Sequence, residues 1–224
     1  MYYYYSMILL VPAVILMIYA QARVKSTFNK YSQVPSAQGL TGAQGARRLL
    51  NDAGLSDVAI VIAGGRLSDH YDPRDRTLTL SPEVGNSNSL AAIGVAAHEA
   101  GHAMQHAEAY GPFRLRSALV PTVNVGTNLG FALFFIGLIF FRSGLLMTIG
   151  IVLYSAAVLF TLVTLPVELN ASHRALVALS DRNMLLGDEI TGAKKVLSAA
   201  ALTYVAAALM AVLQLVRLIL ISRR

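Results

Sequence analysis

From Leu145 to Leu165 the chain carries no charged side chain. At 1.5 Å per residue, a run of this length crosses the roughly 30 Å hydrocarbon core of a bilayer as one helix, the form in which a lone segment satisfies its own backbone there. Residues 5–20, 119–141 and 199–221 repeat the pattern, the last interrupted only by Arg217. These segments explain why 55% of the 224 residues are hydrophobic and 13% charged, with mean hydropathy +0.57, a balance rare in soluble domains. The expected fold class is mainly α: one polytopic membrane-embedded domain over residues 1–224, with about four transmembrane helices.

The first run admits two readings. Ala20-Gln21-Ala22 resembles the cleavage site of a signal peptide, yet no Lys or Arg precedes the apolar stretch, while Arg23, Lys25 and Lys30 follow it. That order suits a retained anchor with its N-terminus outside. Tyr2 to Tyr5 fit an interfacial belt. Only Arg142, Ser143 and Gly144 separate the second and third runs, which predicts a tight membrane hairpin. In the second run Asn124, Thr127 and Asn128 share a helical face, and Gly126 with Gly130 gives a G-x-x-x-G spacing, so this face reads as helix packing rather than a substrate path. Arg217 lies close enough to the end of the fourth run to snorkel.

Four spans place residues 21–118 and 166–198 on one side of the membrane. Arg23, Lys25, Lys30, Arg114, Arg116, Arg174, Arg182, Lys194 and Lys195 fall in these two regions, so the positive-inside rule makes that side cytoplasmic, against the smaller opposing weight of Arg223 and Arg224. The net charge of +6 then reads as attraction to anionic lipid, and no aromatic-basic pattern points to nucleic acid.

Within the first cytoplasmic region, Thr41 caps a helix whose body ends at Gly54 with Leu49 and Leu50 on its apolar side. Val58 to Ile62 is a β-branched run and Thr77 to Leu80 (TLTL) alternates like a half-exposed strand; the turn-rich GGRLSDHYDPRDR lies between them, so a small sheet or hairpin is expected. Ser89 caps a further helix running to about His106 or beyond, with Gly111-Pro112 as its expected stop.

That helix carries AAHEAGHAMQH. Residues four apart share a helical face, so His98 and His102 can direct two imidazoles at one ion. Glu99 sits one step around, out of easy reach of the same ion but within reach of a water on it, the arrangement of H-E-x-x-H zinc hydrolases. Ala97, Ala100, Gly101 and Ala103 leave room for a metal and for close packing, at a helix-propensity cost for Gly101. His106 continues the spacing, but eight residues of straight helix separate it from His98 by about 12 Å, too far to share an ion. The chain has no cysteine, which restricts protein ligands to histidine and carboxylate. A catalytic site needs a third ligand, from among His70, Glu108, Glu168 and His173. Glu168, in LPVELNASHRAL, stands out because a lone carboxylate just beyond a membrane span is costly unless an ion holds it. A salt bridge with Arg174 or another basic residue is the plainer alternative.

GARRLLNDAGL, DHYDPR…TLTLSP, AAHEAGHAMQH and LPVELNAS together resemble the membrane-bound neutral zinc metallopeptidases of bacteria, often called YugP-like, which are distant relatives of the HtpX and CAAX-protease type membrane peptidases. The resemblance covers nearly the whole chain. It implies a multi-pass protein of the bacterial cell membrane, with Zn2+ bound by His98, His102 and Glu168 and with Glu99 as the catalytic carboxylate. In the HtpX-like relatives an Ala-Asp pair follows the Glu ligand and its Asp braces a zinc ligand. This chain has Ala171-Ser172 there, and Ser172 or Asn170 is the expected substitute.

The expected function is a zinc endopeptidase at the cytoplasmic membrane face, with Glu99 as general base on zinc-bound water and with proteins or peptides, membrane proteins among them, as substrates. TLTL, if at a sheet edge, would align an extended substrate. His70, Tyr71, His173 and Arg174 are the candidates for oxyanion stabilisation. The rival function is a non-catalytic zinc-binding scaffold or ion-handling membrane protein. A transporter should carry ionisable groups inside its spans, where this chain has few, and a structural site gains nothing from Glu99.

Overall fold

The computed structural model describes residues 6–65 and 68–223, without the side chains of Thr122, Asn124 and Val125. Tyr2 to Tyr5, Arg66, Leu67, Arg224 and the Asn124 side chain therefore lie outside the described residues. The helices are α1 (Val11–Tyr31), α2 (Gly42–Asp52), the single turn α3 (Pro82–Gly85), α4 (Leu90–Ala107), α5 (Gly111–Ile136), α6 (Gly144–Asp181) and α7 (Asp188–Ser222). A π-helical turn at Gly137–Phe141 extends α5, and three strands, β1 (Ala59–Ile62), β2 (His70–Asp72) and β3 (Thr77–Leu80), lie between α2 and α3. The chain is a mainly α, membrane-type protein with one small sheet.

Among the described residues, three helices are long and apolar enough to cross a membrane: Ser6–Tyr31, Gly144–Asp181 and Asp188–Ser222. The expected span 119–141 is instead formed by Gly111–Pro121 and Gly126–Phe141, bent 52° from one another, so there are four spans if that pair counts as one. Pro121, which lacks the N–H that would continue the ladder, explains the break. The third and fourth expected runs are parts of longer rods: α6 has 38 residues, about 57 Å at 1.5 Å per residue, and α7 has 35.

Two compact units divide the chain. One comprises Met1–Ala20, Gly111–Pro166 and Leu202–Arg224; the other Gln21–Tyr110 and Val167–Ala201. In the first, Phe134, Met147, Tyr154, Ala157, Val158, Ala211 and Leu218 form the core. The hairpin turns at Arg142, whose φ is +47°, and α5 meets α6 backbone to backbone: a Cβ added to Gly130 would lie 2.9 Å from Gly150 O, and one on Gly126 3.3 Å from Leu153 O. The small-residue spacing thus does what was expected of it. Thr127 bonds back to Val123 O of its own helix, and Asn128 is exposed. Arg217 does not snorkel. It is buried, with Nε donating to Ser6 Oγ and Nη1 to Gln214 Oε1.

In the second unit, α2 begins at a capping box in which Thr41 and Gln44 serve each other's backbone. Leu49 and Leu50 are fully buried, and α2 packs on α4. Arg47 ties α2 to the approach of β1 through the carbonyls of Ser56 and Val58. The sheet order is β1-β3-β2, with β1 parallel and β2 antiparallel to β3. The TLTL strand is therefore central, both edges paired, with Leu78 and Leu80 in the core. The edge strand next to α4 is β2. Asp69 pins the start of this hairpin to its end, accepting from Ser81 N and Oγ at 2.7 and 3.1 Å.

Ser89 caps α4 as expected, its hydroxyl accepting from Ala92 N. The stop differs from expectation: α4 ends at Ala107, Ala109 turns the chain with φ +52°, and Gly111-Pro112 opens α5 instead of closing α4. Proline is tolerated in a first turn, where its missing N–H would have no partner anyway. Two glycines on α4 seat its neighbours. A Cβ on Gly94 would touch Ala193 of α7 at 3.5 Å, and one on Gly101 would meet Ala171 O of α6 at 2.6 Å.

Candidate metal centre

The close seat at Gly101 sets what faces α4 from α6. His98 and His102, one turn apart, stand edge to face with ring centroids 4.7 Å apart. Glu168 Oε2 lies 3.1 Å from His98 Nε2 and 3.5 Å from His102 Nε2. One ligand atom from each residue lies within 4.8 Å of the others, the one such group among the described residues. Tetrahedral zinc with bonds of roughly 2.0–2.1 Å holds neighbouring donors about 3.3–3.4 Å apart, and the two nitrogen–oxygen separations bracket that spacing. Two imidazoles and a carboxylate are also the donor types of a catalytic zinc site with a coordination position left open. The residues therefore fit the metal.

Burial supports the same reading. Glu168 is 1% exposed, and a carboxylate withdrawn so far from water needs compensating positive charge or donors. Arg174 does not supply it. Its Nη1 bonds Glu108 Oε1 at 2.7 Å and its Nε bonds Asn170 Oδ1 at 2.7 Å, so Arg174 is committed to these two partners.

Residues 6–223 match the family model described as "Putative neutral zinc metallopeptidase". The chain belongs to the neutral zinc metallopeptidase family. It is 47% identical over 213 residues to the "Putative membrane protease YugP" of Bacillus subtilis (strain 168), an alignment covering 95% of this chain and 94% of that one. No solved structure matches it significantly.

For a neutral zinc metallopeptidase, the fate of the remaining sequence candidates is informative. His70 is exposed on β2, its Nδ1 against Ser68 O. His173 is exposed, and Glu108 is a surface partner of Arg174. His106 lies outside the cluster, its Nδ1 2.9 Å from Tyr71 OH, which fastens β2 to α4. Of the two expected braces, Ser172 meets a histidine directly: its Oγ is 3.1 Å from His98 Nδ1. Asn170 does so only through Gln105, a residue the sequence reading passed over. Gln105 is fully buried, and its Oε1 lies 3.0 Å from His102 Nδ1. Its position three residues after His102, on the same helical face, was the available signal.

Glu99 is 8% exposed. Burial pushes its carboxyl up from 4.5 to about 6, with nearby His98 opposing the rise and Glu168 and Asp69 adding to it. A carboxylate poised near neutrality beside a histidine pair that fits a metal suits proton transfer.

The Gly101 contact yields a prediction. Alanine is the better helix former by about 1 kcal/mol, but the new methyl would sit 2.6 Å from a backbone oxygen that no side-chain rotation can clear, and overpacking costs about 1–3 kcal/mol. Gly101→Ala is therefore expected to lower both the melting temperature and the zinc content of the purified protein. An unchanged value of both would show that α6 can retreat freely.

Proposed function

We propose that this protein is a membrane endopeptidase that hydrolyses peptide bonds at the cytoplasmic face, with His98, His102 and Glu168 holding zinc and Glu99 as the general base. The observation that carries the reading is the convergence of two histidines from α4 and a buried carboxylate from α6, beside a second buried carboxylate outside the ligand set. Bound zinc would supply Lewis acidity, polarising a carbonyl and acidifying water. Glu99 accepts a proton from the attacking water and returns it to the departing amine. A scaffold or ion-handling protein would have no use for this second carboxylate.

The edge strand β2 takes the aligning role first assigned to β3: an extended substrate pairs along its open side, next to α4. Tyr71 is engaged with His106, and Arg174 with Asn170 and Glu108. His70, on β2 and within electrostatic reach of Glu99, is assigned to the developing oxyanion in preference to exposed His173. The basic residues of 21–118 and 166–198 support the cytoplasmic placement, in a single multi-pass domain of the bacterial cell membrane. Protein or peptide substrates, membrane proteins among them, are the partners this placement favours.

Purified full-length protein in lipid nanodiscs, given an unfolded membrane-protein substrate, tests the reading. Cleavage should stop on chelation and return with zinc. Cleavage that survives complete metal removal would overturn the proposal.

A further inference from the structure

Resting on the peptidase reading, we infer that a one-way hydrogen-bond chain, Arg174 to Asn170 to Gln105 to His102, fixes the tautomer of His102 and so prepares its Nε2 for the metal. The direction follows from donor and acceptor chemistry alone. A guanidinium only donates, so the Asn170 atom that Arg174 Nε meets at 2.7 Å must be the amide oxygen, Oδ1. That same oxygen lies 2.9 Å from Gln105, so Gln105 must offer its NH2 there. A second anchor gives the same answer: the Gln105 nitrogen lies 2.8 Å from Val167 O, a carbonyl that can only accept. With Nε2 committed twice to donating, Oε1 is the atom left to face His102, and it meets Nδ1 at 3.0 Å. An acceptor there requires Nδ1 to carry the hydrogen.

The consequence falls on the other ring nitrogen. With Nδ1 protonated, neutral imidazole bears a lone pair on Nε2, and in His102 that atom is 3.5 Å from Glu168 Oε2. Two acceptors facing each other at this distance suit a shared cation between them, so the chain shapes a metal-binding pair before any metal arrives. Gln105 is fully buried, so no water competes for its amide. His98 has a different brace: Ser172 Oγ both donates and accepts, and leaves its tautomer free. Gln105, Asn170 and Arg174 are thus positioning residues acting through His102.

The chain makes an asymmetric forecast. Asn170 uses only its oxygen, so Asn170→Asp preserves it, while Asn170→Leu removes it. Gln105 uses both ends of its amide. Gln105→Met removes the acceptor, and Gln105→Glu turns a carboxylate oxygen toward Val167 O and Asn170 Oδ1. Zinc affinity of the full-length protein in detergent, read by competition with a chromogenic chelator, needs no proteolysis assay. We expect Gln105→Met and Gln105→Glu to bind zinc roughly 10–100-fold more weakly, the usual cost of losing such a partner, Asn170→Leu, which leaves Val167 O as the remaining anchor of the Gln105 amide, to weaken binding by a smaller factor, and Asn170→Asp to stay close to wild type. Ring 15N shifts of labelled, metal-free protein should show His102 protonated on Nδ1 in wild type and mixed in Gln105→Met. Should the Gln105 variants fail to fold, the Asn170 pair decides alone. Equal affinities across the set, or Asn170→Asp as weak as Asn170→Leu, would overturn the chain while leaving the peptidase reading intact. Wild-type protein that binds no zinc would overturn both.

Discussion

Glu99→Gln is expected to leave zinc bound while lowering cleavage by about 10²–10⁴-fold, the usual contribution of a positioned general base. The amide is nearly isosteric with the carboxylic acid, so the packing around this buried position persists; what disappears is the capacity to take a proton. A scaffold would keep its function. Because burial raises the Glu99 carboxyl to about 6, wild-type cleavage should also fade as acidification protonates it. The same shift has a consequence for stability in metal-stripped protein. The folded state holds this proton more tightly than the unfolded chain, so the stabilisation is complete below about pH 4.5 and is lost as pH rises through about 6. Ionised Glu99 then costs about 2 kcal/mol at roughly 1.4 kcal/mol per pH unit. Without metal, Glu99→Gln should therefore melt above wild type at pH 8, and the gap should close near pH 4.5. Retention of more than a tenth of wild-type cleavage by the pure variant would remove Glu99 from the mechanism.

Glu168→Ala should act earlier, on the metal itself. The carboxylate is the only ligand that α6 offers to the cluster, and two imidazoles alone make a far weaker zinc site. The loss of affinity should exceed the roughly 100-fold typical of losing a hydrogen-bonding partner behind a ligand, and cleavage should vanish with it. His173→Ala, five residues along the same helix at an exposed position, is the control and should bind normally. Metal content measured on the three purified proteins separates the cases. Full occupancy in Glu168→Ala would mean that the buried carboxylate serves packing and leaves coordination to other groups.

What the sequence made legible follows from how local each signal is. Thr41 and Ser89 mark helix starts because a cap needs only its own next turn, and His98 with His102 declares itself because four residues are one turn. Glu168 was legible through cost: a carboxylate after an apolar run demands a partner. β2 was hidden because it has three residues, set among Asp69, Asp72 and Pro73, which individually favour turns. Its pairing on β3 displaced TLTL from the edge to the centre. The continuation of α6 past residue 165 was masked by Asn170, Ser172, His173 and Arg174, although buried Ala171, Ala175, Ala178 and Leu179 recur at helical spacing. Gln105 was passed over because the partners of its amide, Val167 O and Asn170, lie on α6, more than sixty residues away. Pro121 announced its bend in the sequence, and the continuous run around it concealed that signal.

His98 and Glu168 are 70 residues apart, and α5 with most of α6 lies between them. A ribosome emits the histidines first, and the acid arrives only after the whole hairpin has been made. A chain arrested between His102 and Glu168 carries two of the three clustered residues. The three clustered residues are therefore all present only once the hairpin between them has been synthesised.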